Sequence, residues 1–491
     1  MTPLLELSPA PGELVRFQVP GADEAPSAVS PAPLSYVQEN HVRRLLANRA
    51  AGRAQSAWVG IMYDVPGRLD TDAMAAALNR WVLRHPTLLT WFSLQEGEDG
   101  GEIVRRVVDP SAVAVEAASL GPYDSPDAIR DWLLELFDTG TDPLNWPPFV
   151  VGSVVRDDVS TVYYAVDHCH SDGLSALLVF SELRALYEAE VAGTVAELPP
   201  AGSYVDFCAL ERERSALLTA DSPEVHRWLE FFRAGPPPTF PLDLGTEPGA
   251  TYPKLSLSVD LLDAAETDAF AKVCRTHGAG FSAGVLGALG ISGYELGGHR
   301  TYRALSVVHT RDEPRWLLSQ GWFINLVPVQ FPVAPAGTEA TAGTETTAGT
   351  EATLADTEPT LADILAGARA AFARARELAG VSPVRVAELV PGLAVQPGAG
   401  AVLPMVSYID LRHAPGSKDW AEANCHGLAG PGTSTDVPIW VNRLWDRTYV
   451  KVTYPDTAAA RENVPRFLER LRDVLREIAR SGEYRVRATG D

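Results

Sequence analysis

The sequence predicts a mixed α/β protein built as two lobes, and three observations predict it. Of its 491 residues 46% are hydrophobic, which suffices for a large buried core divided into about two to four structural units. In both halves, runs with the period-two pattern of strands alternate with segments of helical periodicity. A proline-rich stretch at Gly235, Pro236, Pro237 and Pro238 separates the two series, which sets the lobe boundary between 195 and 245.

Residues 20–33, PGADEAPSAVSPAP, are too rich in Pro, Ala and Ser for regular structure. Residues 1–33 are therefore expected to form an extension and lead-in ahead of the body. A helix is expected at 36–49 and a strand at 57–65. The next helix, 72–85, has Asp70 or Thr71 as N-cap and carries Met74, Leu78, Trp81 and Val82 on one face. Strands follow at 103–108, 149–155 and 161–166. The last two are joined by the polar turn RDDVS and so read as an antiparallel hairpin. Helices at 174–191 and 204–216 complete the first series, the second introduced by LPPAG at 198–202.

The second series reads strand 254–259, helix 264–277, helix 282–294, strand 301–309 and strand 325–331. A six-residue unit then repeats from Gly337, Gly343 and Gly349 (GTEATA, GTETTA, GTEATL). It has too few apolar residues to bury, so a disordered loop is expected over about 335–358. An amphipathic helix at 361–378, a strand at 448–454 and a C-terminal helix at about 459–480 close the chain. The expected domains are thus 34–200 and 201–491.

Charge excludes some functions. Lys and Arg number 41 against 63 Asp and Glu, a net −22, which argues against a general nucleic-acid binder. Any anionic partner must meet a local basic patch. The weakly polar stretch 279–294 is short, rich in glycine and followed by Glu295, so no membrane span is expected. The N-terminus has acidic residues where a signal peptide would be basic, which predicts a cytoplasmic protein. Four widely spaced cysteines indicate neither a disulfide framework nor a zinc site.

The chemistry concentrates in YYAVDHCHSDGLSALLVF, residues 163–180. A strand ends at Val166, a polar loop carries Asp167, His168, His170, Ser171 and Asp172, Gly173 permits a sharp turn, and an apolar helix begins at Leu174. Ionisable groups converging at a strand-to-helix turn suit acid–base chemistry, because the strand fixes what the loop exposes. His168, His170 and Asp172 could also ligate a metal, but the other histidines are scattered singly and no metal is expected. A rival motif, Gly280-Phe281-Ser282-Ala283-Gly284, fits the G-x-S-x-G nucleophile elbow. That elbow needs a preceding strand, whereas the residues before it are helical in pattern, so Ser282 reads as the N-cap of the next helix.

DHCHSDG at 167–173 resembles the HHxxxDG signature of the acyltransferase superfamily that includes condensation domains, polyketide-associated acyltransferases and chloramphenicol acetyltransferase. Four more segments resemble the condensation-domain pattern in order: LSYVQE at 34–39 (LSxAQ), RHPTLLTWF at 84–92 (RHExLRTxF), YVDF at 204–207 (YxDFxxW) and GWFINLVP at 321–328 (GxFxNTLP). Departures are Pro86 and Leu89, Leu210 near the Trp position, Leu326 for Thr, and Asp167 for the first His. The Pro-rich lead-in resembles free-standing actinobacterial members.

The resemblance implies two chloramphenicol-acetyltransferase-like lobes in one chain, a pseudo-dimer with a central tunnel. His168 would be the catalytic group at its middle, Asp172 a structural carboxylate, and Gly173 the turn residue. VVHTR at 307–311 resembles the segment that supplies the pairing arginine, which implies Arg311. His170, Ser171, Trp322, Asn325 and Ser407 would line the tunnel. No cofactor is expected to be bound: the acyl donor carries phosphopantetheine, on an acyl or peptidyl carrier protein or on coenzyme A. The acceptor would be a small or tethered alcohol or amine, giving an ester or amide in natural-product biosynthesis, and the chain is expected to be a monomer. Two other readings are a non-catalytic recruitment module, which Asp167 keeps open, and a serine hydrolase using Ser282.

Overall fold

The computed structural model describes residues 2–53, 56–95, 101–335, 359–391, 393 and 405–487. The repeat expected to form a loop at 335–358 lies outside these residues from 336 onward. Two seven-stranded sheets dominate. The first has the order Thr2–Pro3, His426–Ala429, Trp58–Pro66, Val159–Asp167, Phe149–Val155, Gly12–Gln18, Glu116–Tyr123. The second runs Ile324–Pro332, Thr301–His309, Met405–Asp410, Ile439–Arg443, Arg447–Pro455, Tyr252–Asp263, Thr433–Ser434. A three-stranded sheet of Ser27–Val29, Glu102–Val108 and Thr90–Gln95 stands beside the first.

Each large sheet is held by helices. In the first lobe, FVVGSVV at Phe149–Val155 is buried throughout. Its Phe149, Val151 and Val155 face one core with Trp81 and Val179, while Val150 and Val154 face another with Leu133 and Phe137. An unbroken apolar run is what a strand covered on both faces requires, since successive side chains alternate sides. In the second lobe, helices Ala264–Thr276, Phe281–Gly297, Leu361–Arg376 and Ala458–Ser481 contribute to one core over a single sheet face. Among the described residues no helix is long and apolar enough to cross a membrane.

Two expectations are corrected here. Residues 1–33 are not a lead-in outside the fold. Gly12–Gln18 is an interior strand paired with both Phe149–Val155 and Glu116–Tyr123, with Leu14, Val15 and Phe17 buried. Ser27–Val29 pairs with Glu102–Val108 despite its proline-rich surroundings, because an edge strand needs hydrogen bonds on one side only. Ser282 is not an N-cap: Gly280 occupies that position and Ser282 lies in the first turn of Phe281–Gly297.

The lobes are stitched by residues from both. His426–Ala429 pairs with Trp58–Pro66 in the first sheet, and Thr433–Ser434, four residues further on, pairs with Tyr252 and Pro253 in the second. Helix Tyr204–Ala216 makes a second junction. Tyr204 and Phe207 pack with Trp316 and Phe323, while Arg212 Nε donates to the Leu34 carbonyl at 2.7 Å.

Candidate active site

Strand Val159–Asp167 runs directly into a short 3-10 turn, His168–His170, and helix Gly173–Ala192 follows. Asp167 caps the turn, accepting the Cys169 amide at 2.8 Å. Asp172 caps the helix, accepting the Ser175 amide at 2.7 Å. Two short acids at two consecutive N-terminal positions thus anchor a loop that the strand delivers.

His168 is the one member of the loop's ionisable set that is only half-buried. Its Nδ1 lies 2.9 Å from the Ser171 carbonyl oxygen. A carbonyl only accepts, so Nδ1 carries the proton and Nε2 keeps its lone pair. The ring lies on the Trp322 indole, centroids 4.2 Å apart. Burial, followed by the neighbouring charge of His41, pushes the His168 pKa below its ordinary value, which keeps the imidazole neutral at pH 7. A neutral imidazole with an oriented, unprotonated nitrogen between two lobes can take a proton from a hydroxyl or amine.

Asp172 and Arg311 form a buried bidentate pair, Nη1 to Oδ2 at 2.7 Å and Nη2 to Oδ1 at 3.1 Å. Asp172 Oδ2 also accepts the Phe323 amide at 3.0 Å, and Arg311 stacks over the Phe323 ring at 4.5 Å. Arg311 Nη2 donates further to Ser175 Oγ, which in turn donates to the Gly321 carbonyl. The pair therefore clamps the loop carrying Trp322 against the first lobe. Burial raises the Asp172 carboxyl, but Arg311 outweighs it and holds the pKa below the usual carboxylate range.

Gly321 has φ 154°, and a Cβ there would be driven into the Tyr204 ring. Gly321→Ala is expected to cost about 1–3 kcal/mol by overpacking, read as a lowered melting temperature; unchanged melting would contradict the close approach.

Other expected residues separate. His170 is fully buried, stacked on Phe92 at 5.4 Å, and burial lowers its pKa to about 4. It packs in the first-lobe core. Ser171 contributes its carbonyl, its side chain being buried. Gly173 is not the turn residue: it is the first residue of the helix, without positive φ, and a methyl group would meet only Ile409 Cδ1 at 3.9 Å. The bend is made by Ser171 and Asp172 in extended conformation. Asn325 ties its strand to the Ala379 carbonyl at 2.9 Å. Ser407 sits in Met405–Asp410 opposite Trp440, and no contact joins it to His168 among the described residues. The metal set does not converge, since Asp172 is taken by Arg311 while His168 and His170 stack on different rings.

The sequence reading missed His41. Its Nε2 lies 3.2 Å from Asp167 Oδ2, both side chains 2% exposed, and its ring meets the edge of Trp322 at 5.4 Å. Burial raises the Asp167 carboxyl, but His41 outweighs it and the pKa is lowered. A buried acid in place of the first motif histidine demands a partner, and His41 is three residues after Gln38, whose Nε2 donates to the Cys169 carbonyl at 2.7 Å. That was the available signal. Ser282 follows a helix, not a strand, and lines a small cavity with Val285, Leu286, Phe372 and Tyr408; the strand-supported elbow of a serine hydrolase is not formed.

A condensation-domain family profile matches residues 30–354. The acyltransferase PapA3 of Mycobacterium tuberculosis is 31% identical over 471 residues, 94% of this chain and 92% of that one. The trehalose-2-sulfate acyltransferase PapA2 of Mycobacterium bovis is 30% identical over 483 residues, 96% of each chain. The solved PapA2 acyl transferase structure superposes with a TM-score of 0.84 at 29% identity, covering 98% of this chain and 99% of that one. The two sheet-rich lobes and the buried clamp between them thus have a known setting: the chain belongs to the condensation-domain family and is an acyltransferase.

Proposed function

We propose that the chain transfers an acyl group from a phosphopantetheine thioester, on a carrier protein or coenzyme A, to a hydroxyl of a sugar acceptor, with His168 as general base. The observation that carries this reading is the bond from His168 Nδ1 to the Ser171 carbonyl, which leaves Nε2 free to accept a proton. The sugar acceptor is supported by the relatives, one of which is named for trehalose 2-sulfate. In the proposed reaction Nε2 takes the hydroxyl proton as the oxygen attacks the thioester carbonyl. The tetrahedral intermediate collapses to the ester as the C–S bond breaks, and the imidazolium gives its proton to the departing thiolate, which leaves as the thiol. No side chain is acylated, because both substrates would meet at His168 in a tunnel between the lobes. Asp172 and Arg311 act structurally, holding the loop and Trp322 under the imidazole.

This assignment has a pH consequence. The base works only while Nε2 is unprotonated, and its pKa is lowered. Activity should therefore fall on acidification with a midpoint below about 6.5, the ordinary imidazole value. Acyl transfer to trehalose from an acyl thioester, followed across pH, measures it; an acid limb centred above pH 7 would contradict the assignment.

A further inference from the structure

We infer that Lys254 and Lys451 form an anion subsite at the lobe junction, built to receive a tetrahedral oxyanion such as a sulfate or phosphate ester on a substrate. This rests on the acyl-transfer reading above and identifies a charged feature of its substrates.

Only four lysines occur in the chain, and two of them, Lys254 and Lys451, share one face of the second sheet, Lys254 lying four residues along its strand from Ser258, the register partner of Lys451. In strand Arg447–Pro455, Val450 and Val452 are fully buried in the helix-side core, so Lys451 between them points to the opposite face. Its register partners on either side are Trp440 and Ser258, which share that face. Lys451 is only 9% exposed, yet among the described residues it makes no hydrogen bond or ion pair. Burial lowers the pKa of both lysines; the neighbouring charge at Lys451 is the exposed carboxylate of Glu6, and Lys451 in turn lowers Lys254 further. Lys254 Nζ donates one bond, to the Gly430 carbonyl at 2.9 Å. An ammonium has three protons, and among the described residues one of the six at this site has a protein acceptor.

The site lies close to the catalytic loop. Gly430 continues the strand His426–Ala429 and rests against the Trp58 indole, and Trp58 is the register partner of Asp167. Two strand spacings, about 10 Å, therefore separate the carbonyl that holds Lys254 from the backbone beside His168. The two ammonium charges repel each other, the exposed Glu6 carboxylate is screened by solvent, and an anion seated between the lysines relieves the repulsion. Trp440 beside Lys451 offers a flat apolar face of the kind a sugar ring covers. An anionic group on the acceptor sugar fits this chemistry, and so does a phosphate of the donor.

The test compares wild type with Lys254→Met/Lys451→Met, and with each single methionine variant should the double variant not fold. Trehalose 2-sulfate and trehalose are the acceptors; palmitoyl coenzyme A and its phosphate-free N-acetylcysteamine thioester are the donors. If the acceptor carries the anion, the wild-type preference for the sulfated sugar should collapse at least tenfold with both donors. If the donor carries it, the preference for the coenzyme A thioester should collapse instead, and the oxyanion subsite still stands. Binding is read independently, as the rise in melting temperature on adding inorganic sulfate, expected in wild type and in Lys451→Arg but not in the double variant. Unchanged preferences, or an equal sulfate effect on melting in wild type and double variant, would overturn the subsite. No transfer by wild type with any pair would instead count against the acyl-transfer reading, and the melting data would then decide the subsite alone.

Discussion

His168→Ala is expected to lower kcat for acyl transfer by about 10²- to 10⁴-fold, the usual contribution of a positioned acid–base group, while leaving the melting temperature unchanged. The side chain is half-buried, and its one hydrogen bond is to a carbonyl three residues away in the same loop. The loop does not depend on that bond: Asp167 and Asp172 cap the elements on either side, and Gln38 fixes the Cys169 carbonyl. The loss should therefore be catalytic. A variant with wild-type kcat would remove His168 from the mechanism, whereas one that melts early would show that the ring also supports the lobe contact through Trp322.

Asp172→Ala and Arg311→Ala are expected to act the other way, through stability. Each leaves a buried charge without its partner, a loss of about 3–5 kcal/mol. Asp172 also caps its helix and holds the Phe323 amide. Arg311→Lys should recover part of the loss, because a lysine keeps the charge but cannot reproduce the two-pronged geometry. A pH signature accompanies this. The folded-state pKa of Asp172 is depressed, so its contribution is complete above the unfolded value of about 4 and is lost as pH falls through the lower folded value. Calorimetry of wild type from pH 7 to pH 3 should therefore show melting fall steeply at the acid end, with a shallower fall in Asp172→Ala. Normal melting of both alanine variants at pH 7 would contradict the clamp.

Much of this was legible in the sequence because the signals were local. Strand 149–155 and helix 204–216 have the same limits in the structure as in the pattern, since a continuous apolar run and a Ser203 cap are written in adjacent residues. The Asp172–Arg311 link spans 139 positions, and only the resemblance to known motifs could bring it forward. What was not legible depends on tertiary context. Strand Gly12–Gln18 looks too short and too close to a proline-rich segment to be interior, yet it is fixed by partners about 100 or more residues away. His41 carries no motif of its own and gains meaning only because Asp167 is buried beside it. Asn325 was expected at the passage from its motif position, and in the structure its amide is tied to the Ala379 carbonyl, while Ser407 lies opposite Trp440 in its sheet.

The most direct test of the central claim is single-turnover transfer from an acyl thioester to trehalose by wild type and His168→Ala, with ester product and intact protein both followed by mass spectrometry. The account predicts ester formation by wild type with no acylated protein at any time point, and no ester above background with His168→Ala. An acyl-protein adduct that forms and decays with turnover, or equal ester formation by the two proteins, would contradict it.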